Sequence, residues 1–435
     1  LPADPNGAGP AGAALPPEPV VCEVSRRGKL LVGEPFFDPR TPIVLDRKTA
    51  RDADVGDLVV VTTGRGRAAV ERVLGSPSAI GNVLAGLLYH MGVRPVRGRD
   101  AAAEREAEAL PADPVDEVGR VDLRHLPAFT IDPDEAKDFD DAISVLPDGD
   151  GVRVWVHIAD VSHYVRPGSA LDTDAAERGV SVYVPGTVEP MLPERLSSGL
   201  CSLLPLRDRC CVTVEIPFAP SLEPGEAVFY RSLIRSSERL TYSDAAAILA
   251  GQARADTAVG SALRLAGRVS DHLRRRRYRR GALRIETGEI AFAFDEAGGI
   301  ERGWIEGEPA AHALVEELMI LANEAVARLL AGRRREALYR VHERPDPQAV
   351  ELLLAKLAAL EVPTPSAPAE LTPGEAARLA ARVSARVAEY ARQAGRGAEA
   401  FPALVLRSLK QARYDPRNLG HSGLASPAYC HFTSP

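Results

Sequence analysis

The sequence predicts an α+β protein with a small β-barrel at its front and a larger domain of strands and helices behind it. Three observations carry this expectation. Between Val20 and Val73, short apolar or alternating runs succeed one another at close spacing, separated by turn formers. Around residue 150, two alternating runs flank an Asp-Gly turn, the signature of a β-hairpin. From Leu240 onward, apolar residues recur mostly at helical spacing. A chain of 435 residues, 45% hydrophobic and 26% charged, has ample length for two or three domains with buried cores.

Residues 1–19 are rich in Pro, Ala and Gly and too poor in large apolar side chains to pack, so a disordered tail is expected. The barrel, residues 20–75, is read from Val20–Val24, Lys29–Val32, Ile43–Leu45, Leu58–Thr62 and Ala68–Val73. Its Arg26, Arg27, Lys29, Phe36, Phe37, Arg47 and Lys48 suit contacts to single-stranded nucleic acid, and equally suit a solvated surface over two core phenylalanines. Residues 76–120 form a helical linker. Its first part, Ala79–Met91, has helical spacing, and its charged, Ala-rich part, Arg97–Glu117, is expected to run over the surface.

The main domain, 121–435, opens with the stretch on which the functional reading turns. Asp132, Asp138, Asp140 and Asp141 crowd one short loop that runs into the apolar strand Ala142–Leu146. At ~4 Å and an effective dielectric near 20, two ionised carboxylates repel by about 4 kcal/mol. Such a cluster shifts its pKa values, stays solvated or holds a cation. Hard oxygen donors without Cys or His favour Mg²⁺ or Mn²⁺ over zinc. The spacing lacks the Gly and Glu of an EF-hand loop, and Phe139 within the cluster argues against a freely solvated turn. A magnesium site acting on phosphodiesters is the reading that remains.

Val152–Asp160 alternates Val152, Val154, Val156 and Ile158 with Arg153, Trp155, His157 and Ala159, so one face is expected to be buried. His157 and His163 are read as packed residues rather than ligands. Val180–Arg209, interrupted by four prolines, reads as a long functional loop, and Cys211–Ile216 as a strand. Leu240–Leu249 and Val259–Arg280 read as helices, the second ending in the basic run Arg274–Arg280. Gly281–Phe294 reads as strands. Ala310–Leu330, Pro347–Leu360, Pro373–Gln393 and Phe401–Tyr414 read as helices. Glu316 and Glu317 interrupt an apolar face of the first of these. On the last, Arg407, Lys410 and Arg413 at i, i+3 and i+6 set three positive charges along one side.

A net charge of -7 gives no footprint of a nucleic-acid binder, though local patches decide such binding. Five scattered cysteines without C-x-x-C point to a reducing compartment and away from disulfides or zinc. With neither a membrane-length apolar run nor a signal peptide, a cytoplasmic enzyme is expected. Gly420–Leu424 begins like a serine-hydrolase elbow but lacks its closing Gly and a leading strand, and no phosphate-binding glycine loop follows a strand.

The motifs FTIDPDEAKDFDDAISV (129–145), WVHIADVSHYVRPGSALD (155–172) and RGVSVYVPGTVEPMLPERLSSGLCSL (178–203) resemble the ribonuclease II/ribonuclease R (RNB) family of exoribonucleases, nearer the ribonuclease R side. LVEELMILAN (314–323), YRVHERPDP (339–347) and LRSLKQARYDPRNLGHSGLASPAYCHFTSP (406–435) continue the resemblance. It implies an OB/cold-shock-like barrel followed by an RNB catalytic domain, a mixed β-sheet with surrounding helices. It implies a processive, Mg²⁺-dependent hydrolase that shortens single-stranded RNA from its 3′ end to 5′-nucleoside monophosphates. Asp132, Asp138, Asp140 and Asp141 match the family's four aspartates and would hold two metals. Tyr183 matches the aromatic that stacks on the last base, and Glu316 or Glu317 the carboxylate on the terminal ribose. In that context the Arg274–Arg280 run and Arg407, Lys410 and Arg413 become candidates for the RNA path. In the family an Ile-Arg-Arg/Lys-Tyr segment follows His431–Pro435, bringing an arginine to the scissile phosphate, and an S1 domain usually comes after. The sequence is therefore expected to be part of a longer protein. The alternative is an RNA-binding or scaffolding member of the fold with little turnover.

Overall fold

The computed structural model describes residues 19–38, 40–62, 68–93, 100–112, 119–184, 187–253, 257–285, 290–295, 300–305, 309–368, 370–398 and 400–435. The tail expected over residues 1–19 lies outside them except for Pro19. The chain divides into two compact units. The first comprises Leu1–Glu104, Ala170–Pro193 and Ile290–Ile305, and the second Arg105–Ser169, Glu194–Glu289 and Glu306–Pro435.

In the first unit, β1 (Val20–Arg27), β2 (Leu30–Pro35), β3 (Ile43–Val44), β4 (Leu58–Thr62) and β5 (Ala69–Gly75) form a sheet of order β3-β2-β1-β4-β5. A parallel bridge, Leu45↔Ala68, joins the two ends of that row and closes it into a barrel. Cys22, Val24, Leu45, Val59 and Val61 fill its interior. Gly33 is required there, since a Cβ would stand 2.9 Å from that of Cys22. Helix α1 (Ile80–His90) adds Tyr89 to a cluster with Val21, Val60 and Phe37. Phe37 is thus packed, whereas Phe36 is 38% exposed and meets it edge-on. The expected surface connector instead contains α2 (Ala101–Ala109), whose Ala103 and Ala107, one turn apart, are buried.

The second unit begins with β6 (Val121–Asp122), β7 (Ala128–Asp132), β8 (Asp141–Asp148) and β9 (Gly151–Ala159). The expected hairpin is β8–β9, turned at Gly149 with φ 56°. Its second strand differs from expectation, because from Val154 to Ala159 both faces are buried. This strand is therefore central. His157, fully buried, lies between Ser144 Oγ (3.0 Å) and Thr213 Oγ1 (2.9 Å), and burial pushes its pKa down to about 3. That is the packed histidine the sequence suggests.

The short helix α3 (Val161–Tyr164) is followed by helix α4 (Ala170–Arg178), and the segment Val180–Arg209, expected to be a loop, then contains regular structure. Helix α4 and the hairpin β10 (Val182–Val184)–β11 (Thr187–Glu189) belong to the first unit, tied by Arg178 to Glu189 at 2.9 Å. A π-helical turn, Arg195–Leu200, belongs to the second.

Strand β12 (Asp208–Phe218) then pairs with β9, and β13 (Val228–Thr241) completes the sheet. Sequence periodicity gave no sign of β13. It runs fourteen residues, pairing antiparallel with β12 over Val228–Arg235 and parallel with β7 over Ser236–Thr241. The ring β12-β9-β8-β7-β13 thereby closes on itself, with β6 added beside β13. Helix α5 (Tyr242–Leu249) starts two residues later than expected, with a capping box between Thr241 and Asp244.

Helix α6 (Ala258–Arg280) ends at Gly281 in the left-handed region, φ 100°. Residues 281–285 are not a strand. In the first unit β14 (Ile290–Phe294) pairs with β15 (Ile300–Ile305). Helix α7 (Pro309–Gly332) packs with α6 on the sheet, where Leu263, Val269, Leu314 and Leu318 meet Phe129, Ile143, Val156 and Val214. Strand β16 (Tyr339–Val341) precedes α8 (Pro347–Ala359), α9 (Pro373–Ala394) and α10 (Ala400–Arg407), which share a separate core around Leu357, Leu379 and Val405. Pro347 and Pro373 stand in first turns, where their missing N–H costs nothing. Strand β17 (Arg413–Asp415) pairs with β16.

Among the described residues no helix is long and apolar enough to cross a membrane. The five cysteines are free and buried.

Candidate active site

The acidic loop joins β7 to β8. Asp132 is the last residue of β7 and Asp141 the first of β8, so the sheet fixes two of the four carboxylates at one end. Asp132 pairs with Thr241 of β13, and Asp141 with Ile158 of β9. Asp138 and Asp140 stand in the intervening loop, which is pinned at three points.

Ala159 N–H donates to Asp140 O at 3.0 Å. Ser202 Oγ accepts from Phe139 N (3.1 Å) and donates to Lys137 O (2.8 Å), while Leu203 N–H donates to Phe139 O (2.9 Å). Ser202 is itself held by Arg209, whose Nε donates to its carbonyl at 2.7 Å. The third pin is Arg239 of β13. Its guanidinium donates to the carbonyls of Pro133 and Asp134 and lies over the Phe139 ring, 5.6 Å from the centroid. Phe139, 6% exposed, is the apolar anchor that turns the loop inward. Sequence reading missed Ser202, Arg209 and Arg239, because each acts on the loop from a distant segment.

Replacing Arg239 by Ala removes both carbonyl contacts and the ring contact at once. Amide hydrogen exchange over residues 134–140 is expected to accelerate about 10-fold or more, since a pinned loop opens at a lower free-energy cost once its pins are gone. Arg239→Lys should restore little of this, because one ammonium does not reproduce a planar fork over an aromatic ring. Unchanged exchange in Arg239→Ala would remove Arg239 from this role.

The electrostatics of the cluster are unfavourable without a counter-ion. Burial raises the Asp132 carboxyl to about 6, against the partial relief of the Thr130 side chain and of Arg239, with Asp138 adding a smaller push upward. Burial, then Asp138 and Asp132, raises Asp140 to about 6. Burial, then Asp132 and Asp140, raises Asp141 to about 7. All four side chains are half-buried rather than sealed. The buried Oδ2 of Asp132 has no hydrogen-bond partner among the described residues.

These observations fit a hard divalent cation. The donors are carboxylate oxygens, one is buried and unpartnered, and mutual repulsion is what positive charge would relieve. Among the described residues, however, no three His, Cys, Asp or Glu side chains are gathered into a set able to hold a metal ion as they stand. The four aspartates are neighbours in the electrostatic sense, and coordination requires their side chains to converge further.

Helix α7 presents the other carboxylates. Glu317 is 2% exposed and bound by Arg277 of α6, with Oε1 at 2.9 Å from Nε and 2.6 Å from Nη2. Glu316 touches the same guanidinium at 3.3 Å, but its side chain is 53% exposed. The pair that sequence leaves open is therefore unequal. The basic run is similarly divided. Arg277 is buried on these glutamates, and Arg280 binds Glu324 at 2.5 Å.

The three charges on one helix side are not found. Helix α10 ends at Arg407, Lys410 follows without regular structure, and Arg413 opens β17, where it pairs with Asp415 and Glu343. The helix stops because Ser408 turns its hydroxyl back onto Val405 O at 2.7 Å and the chain must enter the β16–β17 pair. Tyr183 stands on β10 in the first unit, 62% exposed and paired in register with Val188. Gly420–Leu424 forms a 3₁₀ turn rather than an elbow, with Gly423 N–H donating to His342 Nδ1 at 3.1 Å.

Residues 120–435 match the family model for the RNB domain. The chain belongs to the RNB family. It is 40% identical over 342 residues to ribonuclease R of Escherichia coli K12, an alignment covering 77% of this chain and 41% of that protein. It is likewise 40% identical over 338 residues to ribonuclease R of Thermotoga maritima, covering 76% and 46%. The chain thus spans less than half the length of these two relatives. Among solved structures it resembles Mycoplasma genitalium RNase R in complex with ribose-methylated single-stranded RNA, with a TM-score of 0.83 and 25% identity over 96% of this chain and 66% of that one. The α+β architecture described above is shared with that solved structure over 96% of this chain.

Proposed function

We propose that this protein is a hydrolytic exoribonuclease that shortens single-stranded RNA processively from the 3′ end, releasing 5′-nucleoside monophosphates. The observation that supports this most is the braced four-aspartate loop, with carboxyl groups raised to about 6 and 7 and one buried oxygen unpartnered. Asp132, Asp138, Asp140 and Asp141 would hold two divalent cations, Mg²⁺ or Mn²⁺. Such ions activate water and stabilise the charge that develops on a leaving 3′-oxygen. The chain's own part is positional. Asp132 and Asp141 are fixed by the sheet, and Asp138 and Asp140 by the pins on the loop.

Glu316 is the residue we assign to the terminal ribose, because Glu317 is consumed by Arg277. A carboxylate accepting from a 2′-hydroxyl distinguishes RNA from DNA. Tyr183 is assigned to stacking on the last base, and exposed Arg407 and Lys410 to backbone phosphates, Arg413 having carboxylate partners of its own. Residues 20–75 would form an OB/cold-shock-like RNA-binding domain and 76–120 a linker to the catalytic domain, 121–435. The exposed Phe36 rather than Phe37 is its stacking residue.

The test is chromatography of the products formed from a 3′-extended single-stranded RNA with Mg²⁺, set beside DNA of the same sequence. Nucleoside 5′-monophosphates should accumulate from RNA, and their formation should cease with a chelator. A reaction that yields no mononucleotide, or that proceeds equally on DNA, refutes the assignment. Adding excess unlabelled RNA after the start should leave chains already engaged to be shortened fully, and an immediate halt would refute processivity.

A further inference from the structure

The arginines of α6 and α9 form a feature that the acidic site does not use. Tyr278, Arg279 and Arg284 face Arg378 and Arg382 across a groove of 720 Å³. The groove continues past Arg280 and Arg378 into a second hollow of 500 Å³ that includes Arg344. No acidic-loop residue lines either one. In a chain of net charge -7, so basic a surface is a local concentration of charge.

Most of these charges lack carboxylate partners. Among the described residues, no carboxylate lies within ion-pair distance of Arg279, Arg284, Arg344, Arg378 or Arg382, whereas Arg280 binds Glu324. Glu375, the acidic residue of the groove wall, accepts instead from the backbone (3.0 Å) and hydroxyl (2.7 Å) of Thr372 at its own helix cap. Arg344 and Arg378 converge further, their Nη1 atoms lying 3.6 and 3.8 Å from the position a Cβ on Gly374 would take. Arg378 and Arg382 stand one turn apart on α9, about 6 Å along its axis, and like charges so placed repel.

The wall is also pre-organised. Arg284 lies over the Tyr278 ring at 4.6 Å, its backbone N–H donates to Ser384 Oγ at 2.9 Å, and Leu283 N–H donates to Gly423 O at 2.8 Å. The positive N-terminal end of the 22-residue helix α9 opens onto the same space at Gly374. Arginines with no carboxylate within ion-pair distance among the described residues, Glu375 acting on Arg378 only at longer range, match a chain of phosphates.

We propose that this groove binds the sugar–phosphate backbone of single-stranded RNA at a stretch remote in sequence from the nucleotide being cleaved. This rests on the reading that RNA is the substrate. The groove supplies affinity and salt dependence. The acidic loop supplies the chemistry.

The test is fluorescence anisotropy of a labelled oligouridylate of about 20 nucleotides in excess EDTA, where nothing is cleaved, titrated at several salt concentrations between about 50 and 200 mM. The double variant Arg378→Glu/Arg382→Glu should weaken binding about 10-fold or more and lower the slope of log K against log[salt] by about 0.7 for each phosphate that the groove no longer neutralises. Arg392→Glu is the control, an exposed arginine of the same helix that pairs with Glu389 and lies outside the groove. It should change neither quantity. The groove proposal is overturned if the double variant binds as wild type does, if the control weakens binding equally, or if wild type binds no RNA. Failure of the exoribonuclease reading looks different: RNA bound, with groove-dependent affinity, but no mononucleotide released when Mg²⁺ is added.

Discussion

Asp141→Asn is expected to lower the Mg²⁺-dependent release of nucleotides about 1000-fold or more while making the metal-free protein more stable above neutral pH. The loss follows from the proposed role, since several kcal/mol of transition-state stabilisation are at stake in a metal site and each 1.4 kcal/mol is tenfold in rate. The gain follows from the cluster's electrostatics. Burial and two neighbouring aspartates raise Asp141 from 3.8 to about 7.

A carboxyl with a raised pKa in the folded state binds its proton more tightly there than in the unfolded chain. Its contribution to stability is therefore complete below about pH 4 and is lost as pH rises through about 7. At roughly 1.4 kcal/mol per pKa unit, Asp141 alone sets an upper bound of about 4 kcal/mol, reduced by the solvent that reaches a half-buried carboxylate. Asp132 and Asp140, each raised to about 6, add in the same direction. Denaturant melts in EDTA should thus show wild-type stability falling between about pH 4 and pH 7, with a shallower fall for Asp141→Asn. Adding Mg²⁺ at pH 8 should restore wild type more than the variant, since a ligand that binds only the folded state stabilises it by mass action. A wild-type profile that is flat in EDTA would mean that the carboxylates are already relieved by solvent and would remove this account.

The acidic loop and its hairpin were readable from the chain because both are local. Four aspartates within ten residues, and period-two alternation about an Asp-Gly turn, need no knowledge of distant segments. Strand β13 was not, since Arg231, Arg235, Glu238 and Arg239 break up its apolar residues. Its central Ser232, Leu233 and Ile234 are buried consecutively instead of alternately, because it passes from β12 to β7 midway. With β13 went Arg239 and the closing of the sheet. The charges Arg407, Lys410 and Arg413 were misplaced for the opposite reason: their period was helical, and a tertiary pairing of β17 with β16 overrode it. Period alone does not report where a helix stops.

The inequality of Glu316 and Glu317 is likewise tertiary, set by an arginine forty residues earlier than Glu317, and it supplies the second large effect. Arg277→Met leaves Glu317 buried at 2% exposure without its cation, which is expected to cost about 3–5 kcal/mol. Burial already raises the Glu317 pKa against the pull of Arg277, so removing the arginine raises it further. By the same sign argument the cost should be smaller at pH 5 than at pH 8. Adding Glu317→Leu to Arg277→Met should recover most of the loss, because a well-packed apolar pair often matches a buried ion pair. Denaturant melts of the single and double variants at both pH values check this, and a single variant as stable as wild type would overturn it. Glu316→Gln, at an exposed position, should shift stability by no more than about 0.5 kcal/mol. Under the proposed assignment it should nonetheless narrow the rate ratio between RNA and DNA, because a neutral amide is a weaker acceptor for a 2′-hydroxyl than a carboxylate. If Glu317→Gln narrowed that ratio at unchanged stability and Glu316→Gln did not, the ribose carboxylate would be Glu317, and Arg277 would be part of the substrate site rather than a brace between α6 and α7.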